Sequence, residues 1–143
     1  AGSYDLGPSS LQCGRRADAL KVWFTWRALG DEGLEAHVDT LFRNAQTAAA
    51  LVKKTPGFEL VTEPSSLNVC FRVQGQRSMP SAQWHRLLRE RLMAKGEAMV
   101  NMASRKDDSF IRLITANPQQ DERVFTALLR DLTDAAKEIG RQA

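Results

Sequence analysis

The sequence predicts an α+β domain, and two observations carry that expectation. Apolar residues recur at helical three- and four-residue steps in the first third and the last quarter of the chain, whereas between them lie short β-branched runs that alternate in period two. The resulting order is helix, helix, strand, strand, helix, strand, strand, helix, with no internal repeat and no low-complexity segment. A length of 143 residues with 43% hydrophobic and 26% charged side chains suits an ordinary globular domain with a real core.

The first helix is expected over 17–29, where Leu20, Val22, Trp23, Phe24, Trp26 and Leu29 make it apolar nearly all round, and Gly30 supplies a C-terminal cap. Two tryptophans and a phenylalanine are more surface than a small domain covers alone, so this helix should face structure beyond its own domain. Asp31 is a plausible N-cap for a second helix in which Leu34, Val38, Leu41, Phe42, Ala45, Ala48, Leu51 and Val52 form a stripe, stopped at Thr55-Pro56-Gly57. Residues 58–61 read as a short strand and 68–73 as another, with Val69, Phe71 and Val73 on one face. Pro80 or Ser81 starts a third helix striped by Trp84, Leu87, Leu88 and Leu92 and closed by Lys95-Gly96. Residues 98–103 and 110–116 look like two strands joined by a polar loop over 104–109. Asn117 can cap, and Pro118 open, a last helix whose buried face is marked by Val124, Leu128, Leu132, Ala135 and Ile139, before Gly140.

Charge and composition exclude several function classes. The net charge of +3 comes from Lys and Arg scattered among acids, with no basic run or aromatic-interleaved patch for nucleic acid. No apolar run reaches membrane-spanning length, and the start, Ala1-Gly2-Ser3-Tyr4-Asp5-Leu6-Gly7-Pro8, lacks a signal peptide's features and reads as a loop cut from something larger. Cys13 and Cys70 are isolated, which indicates neither a disulfide framework nor a metal site and fits a cytoplasmic setting. His37 and His85 each sit on an expected helix without a ligand or catalytic partner at a useful spacing, and no phosphate loop or nucleophile elbow is present. No residue in the chain is a convincing catalytic nucleophile.

The candidate site residue is Arg112. In the run Phe110-Ile111-Arg112-Leu113-Ile114 it shares a strand face with Phe110 and Ile114. A guanidinium does not deprotonate, so on an apolar face it is expected to be cut off from water and to need an anion, either an acid of the protein or a bound carboxylate, sulfinate or phosphate. The alternative is a stem that snorkels past a sheet edge. Arg15 and Arg16 are equally open between anion binding and pairing with nearby acids.

The stretch Gln12-Cys13-Gly14-Arg15-Arg16-Ala17-Asp18-Ala19-Leu20-Lys21-Val22-Trp23 closely resembles the group II pyridoxal-phosphate-dependent amino-acid decarboxylases, with glutamate and cysteine sulfinate decarboxylases nearest. The resemblance continues through Gly57-Phe58-Glu59-Leu60, Asn68-Val69-Cys70-Phe71 and Phe110-Ile111-Arg112 with Asn117-Pro118, and so covers nearly the whole chain in order. It implies the C-terminal small domain of a type I fold, an antiparallel sheet with helices at 34–143, preceded at 1–33 by the end of the large cofactor domain and a linker helix. It also implies a homodimer, with Cys13 and Gly14 lining the neighbouring subunit's pocket and Arg112 binding the substrate's carboxylate. The implied reaction is loss of the α-carboxylate as carbon dioxide, the ring of pyridoxal phosphate taking the electrons.

In that family the lysine that attaches the cofactor, the ring-stacking histidine and the aspartate on the pyridine nitrogen all lie upstream of the Gln-Cys-Gly segment. By resemblance, Lys21 matches a structural helix position, and Lys53, Lys54, Lys95, Lys106 and Lys137 match nothing catalytic. This chain is therefore expected to be inactive alone and to need the remaining N-terminal part of the enzyme. Two departures bear on the substrate: Arg72 stands where acidic-substrate members usually carry tryptophan, and residues 103–108 replace a Tyr-Gln-Pro pattern. An acidic amino acid or cysteine sulfinate is favoured, with an aromatic or diamino acid behind it. The rival from another class is a free-standing α+β module that holds an anionic ligand at Arg112.

Overall fold

A computed structural model describes residues 16–75, 79–106 and 108–142. The chain divides into two units between Ala36 and His37. Helix α1, Asp18–Lys54, consists of two helical stretches that meet in a kink at Gly30, whose φ of 68° and ψ of −175° are not helical. A β carbon there would touch nothing within 4 Å, so glycine answers a need of conformation rather than of space. The interruption falls where the end of one helix and the start of the next were expected, and the Asp31 side chain turns back across it. Its Oδ1 accepts a hydrogen bond from Trp26 Nε1 at 2.6 Å.

In the first unit, Lys21 Nζ pairs with Asp18 Oδ1 at 2.9 Å, and the Trp23 and Phe24 rings meet edge to face. Leu20, Val22, Trp23, Phe24 and Trp26 are each more than half exposed. A helix of this composition that leaves its aromatics in water has an unmatched apolar surface.

The second unit is a four-stranded sheet with helices packed on one face. After α1 buries Leu41, Ala45, Ala48, Ala49 and Val52, the elements are β1 (Phe58–Leu60), β2 (Asn68–Val73), α2 (Ser81–Lys95), β3 (Asn101–Arg105), β4 (Asp108–Ile114) and α3 (Glu122–Gln142). Strand order is β1-β2-β4-β3, and every neighbouring pair is antiparallel. Val69, Phe71 and Val73 of β2 and Ile111 of β4 point to the core, where they meet Trp84, Leu88 and Leu92 of α2 and Phe125, Leu129, Leu132 and Ala135 of α3. Alternation in the strands and i, i+4 spacing in the helices thus place one buried set on each element.

Helix α2 is tied to the sheet by polar bonds as well as by packing. Trp84 Nε1 donates to the Val73 carbonyl at 2.9 Å, and Ser81 Oγ donates to the Ser109 carbonyl at 2.8 Å. Gly75 is pressed against the Trp84 ring, where a β carbon would lie 2.7 Å from ring atoms. Gly96 ends the helix as expected, its N–H bonded to the Met93 carbonyl and that of Glu97 to Leu92.

Two regions depart most from their expected limits. The expected loop over 104–109 is instead a tight hairpin, since Ser104 pairs with Ser109 and Arg105 with Asp108. Lys106 turns it with φ of 55°. Polar composition concealed the pairing because one hairpin face is polar. The last helix begins at Glu122 rather than at Pro118: Asn117 Oδ1 accepts from Gln119 N in a local turn, and Asp121 Oδ1 accepts from Arg123 N and Val124 N as the true N-cap. Starting there puts Phe125 in the core and leaves Val124 exposed, against expectation. The helix also continues through Gly140.

Candidate functional site

The face of the sheet opposite the helices carries Glu59 from β1, Asn68, Cys70 and Arg72 from β2, Asp108, Phe110, Arg112 and Ile114 from β4, and Asn101, Ala103 and Arg105 from β3. Arg112 lies in the middle of it. Register sets Cys70 opposite it on β2 and Asn101 opposite it on β3. Along its own strand the same face holds Phe110 and Ile114, so no carboxylate adjoins Arg112 by register.

The expectation that this guanidinium is cut off from water is wrong for the described chain: Arg112 is exposed, and so is Ile114. The error was to count Ile114 as a core position, when β4 turns Ile111 and Leu113 to the helices and Arg112 away from them. Among the described residues Arg112 makes no ion pair, so no internal salt bridge is seen there. Burial pushes the Cys70 thiol up, and the positive charge of Arg112 partly offsets that rise.

Arg72, on the same face, is bound. Its Nε donates to Asp108 Oδ1 and Oδ2 at 3.1 and 3.0 Å, its Nη2 donates to Asp108 Oδ2, and Glu59 Oε1 stands 3.6 Å from its Nη1. The hydrogen bonds from Arg72 hold the Asp108 carboxyl below its usual range and raise the guanidinium in turn. Sequence reasoning noted both Arg72 and the 103–108 segment but did not connect them. The signal was present as opposite charges on neighbouring strands, but it was hidden by treating Asp108 as part of a loop.

The remaining site residues from the sequence divide clearly. Cys13, Gly14 and Arg15 lie outside the described residues. His85 is buried, with Nε2 accepting from Val73 N at 3.2 Å and Nδ1 against the Ser81 carbonyl at 2.9 Å. Both nitrogens are occupied, and burial lowers its affinity for a proton. It locks α2 to β2 and is not available to a ligand.

Among the described residues no lysine is enclosed. Lys21, Lys53, Lys95 and Lys137 pair with Asp18, Glu63, Glu138 and Asp134, and Lys54 and Lys106 are exposed. No helix is long and apolar enough to cross a membrane.

Comparison with known proteins gives this geometry a context. The profile of the pyridoxal-dependent decarboxylase conserved domain matches residues 2–74. Cysteine sulfinic acid decarboxylase of Mus musculus is 37% identical over 139 residues, covering 90% of this chain and 28% of that protein. Acidic amino acid decarboxylase GADL1 of the same species is 33% identical over 148 residues, covering 96% and 27%. The crystal structure of mouse CSAD superposes with a TM-score of 0.78 at 34% identity, over 92% of this chain and 30% of that one. The chain therefore spans less than a third of the length of these relatives, and a free-standing module finds no support in them.

Proposed function

Because this chain belongs to the pyridoxal-dependent decarboxylase family, we propose that it is the substrate-orienting C-terminal part of a carboxy-lyase that removes the α-carboxylate of an amino acid. The cofactor of the family is pyridoxal 5′-phosphate. The described residues do not fit it as a resident group, since their lysines are exposed or engaged and His85 has no free nitrogen. The attachment lysine then belongs to another part of the same enzyme, and this chain by itself is inactive. Reduction of the isolated chain with borohydride in the presence of pyridoxal phosphate, followed by peptide mapping, is expected to label no single lysine stoichiometrically.

The observation that carries the reading is the guanidinium of Arg112, facing out from the middle of the sheet with no acid paired to it among the described residues. A fork of donors fixed on a strand can hold a carboxylate in two-pronged fashion and set its orientation, which decides the bond to be broken at the α-carbon. The substrate is an acidic amino acid, and the relatives named for cysteine sulfinic acid and acidic amino acids support that class. The enzyme works as a cytoplasmic homodimer. The exposed helical surface at Val22, Trp23 and Trp26 packs on the rest of the enzyme or on the second subunit, with Cys13 and Gly14 at the neighbour's pocket.

Carbon dioxide release by the intact enzyme with pyridoxal phosphate tests this directly. Release is expected from cysteine sulfinate, aspartate or glutamate. Release only from aromatic or diamino acids would overturn the substrate class, and no release from any amino acid would overturn the activity.

A further inference from the structure

Two arginines share the open face of β2 and β4, and among the described residues only one of them has an acid partner. Arg112 lies opposite Cys70, and continuing the register sets Arg72 opposite Phe110. Arg72 and Arg112 are therefore diagonal neighbours, about 7–8 Å apart at the backbone, a separation that two arginine side chains easily span. Unrestrained, they could close together on two anionic groups of one ligand.

The structure turns Arg72 the other way. Asp108 lies two residues from Phe110 on the side away from Arg112, and it holds Nε and Nη2 of Arg72 in a forked pair. Glu59, the register partner of Arg72 on β1, approaches Nη1 at 3.6 Å. Along β4 the face thus reads carboxylate, phenyl ring, guanidinium, with Arg72 drawn to the carboxylate end.

We propose that Asp108 is a specificity-determining residue, which holds Arg72 away from Arg112 so that β2 and β4 bring one guanidinium to an anion bound at Arg112 instead of two. This rests on the reading of Arg112 as the carboxylate-binding group. The consequence is that this pair of strands grips the α-carboxylate alone, and the second acid of an acidic substrate is held by groups other than Arg72. Asp108 acts through Arg72 and touches no reacting atom, so it is a positioning residue.

The test uses the intact enzyme and two competitive inhibitors, the dianion succinate and the monoanion butyrate, against wild type, Asp108→Asn, Arg72→Met and the double variant. Asp108→Asn is expected to release Arg72 and lower the inhibition constant of succinate about tenfold while leaving that of butyrate within about twofold, since one additional charge-assisted contact is gained. The double variant returns to wild type, and Arg72→Met alone changes neither constant. Equal shifts for both inhibitors in Asp108→Asn, or no shift, overturn the proposal. If Asp108→Asn does not fold, Arg72→Met decides: weaker succinate inhibition in that variant means that Arg72 already reaches the anion, and the proposal fails. Arg112→Met separates this from the underlying reading. Butyrate inhibition that survives it refutes the role of Arg112, whereas butyrate inhibition lost there, with succinate selectivity unmoved in Asp108→Asn, refutes only the role of Asp108.

Discussion

The two faces of the one sheet obey different rules. On the helix side, Val69, Phe71 and Ile111 are fully buried, and their partners are other apolar side chains. On the opposite side the same two strands present Cys70, Arg72, Asp108 and Arg112, held in place by register and, for two of them, by an ion pair. Period-two alternation assigns each residue to its face, so a single strand sequence encodes packing on one side and, in the reading proposed for Arg112, recognition on the other. Stability and anion binding should accordingly be separable by substitution on alternate residues.

The strongest way to break that separation is at the core. Phe71→Ala removes a fully buried ring that also meets Phe58, and is expected to cost about 3–5 kcal/mol, seen as a large fall in melting temperature of the intact protein. If the loss is no larger than for open-face substitutions, the two faces are not distinct in the way described. A smaller effect is expected at Asp108→Asn, about 1 kcal/mol or less, because its bond to Arg72 is partly exposed to water. A melting-temperature drop rivalling that of Phe71→Ala would mean that the pair is a structural element first.

Most of the fold was legible in the sequence, and the reasons are local. β2 announced itself because Val69, Phe71 and Val73 alternate cleanly, and α2 because its apolar stripe ends in Lys95-Gly96. The β3–β4 hairpin and the start of α3 were misjudged for a common reason. Each has a polar stretch whose hydrogen bonds are made by side chains or by a neighbouring strand, and composition alone cannot tell a paired polar residue from a loop residue. Arg112 was singled out on the argument that its face is buried. Phe110 on that face is indeed buried, but Arg112 and Ile114 are exposed, and the interest of Arg112 survives for the opposite reason, that nothing of the described chain pairs with it. The Arg72 and Asp108 pair needed the register, which depends on tertiary pairing and lies beyond the reach of a single-strand pattern.

The subtlest contrast sits where the two faces are pinned together. His85 is neutral in the fold because burial lowers its proton affinity below the ordinary imidazole value of 6.5, while the Ser81 carbonyl partly opposes this. The unfolded chain then binds a proton more readily than the folded one, so the contribution of His85 is complete above that value and declines as pH falls below it. His85→Gln is expected to flatten the fall in melting temperature between about pH 7.5 and 5.5. Asp108 and Glu138, whose carboxyls are both held below their usual range by cationic partners, titrate well outside that interval. An unchanged slope in His85→Gln would show that the ring does not stay neutral in the fold.

The account stands most directly on Arg112. Steady-state kinetics and melting temperature of Arg112→Lys and Arg112→Met, made in the intact enzyme, measure its two possible roles together. The expected result is a melting temperature close to wild type in both variants, with kcat/KM reduced by about two orders of magnitude or more in Arg112→Met. Lysine should restore little, since it keeps the charge and loses the planar fork. Variants that are markedly less stable yet keep normal KM and kcat would contradict the account, because Arg112 would then serve the fold and not the substrate.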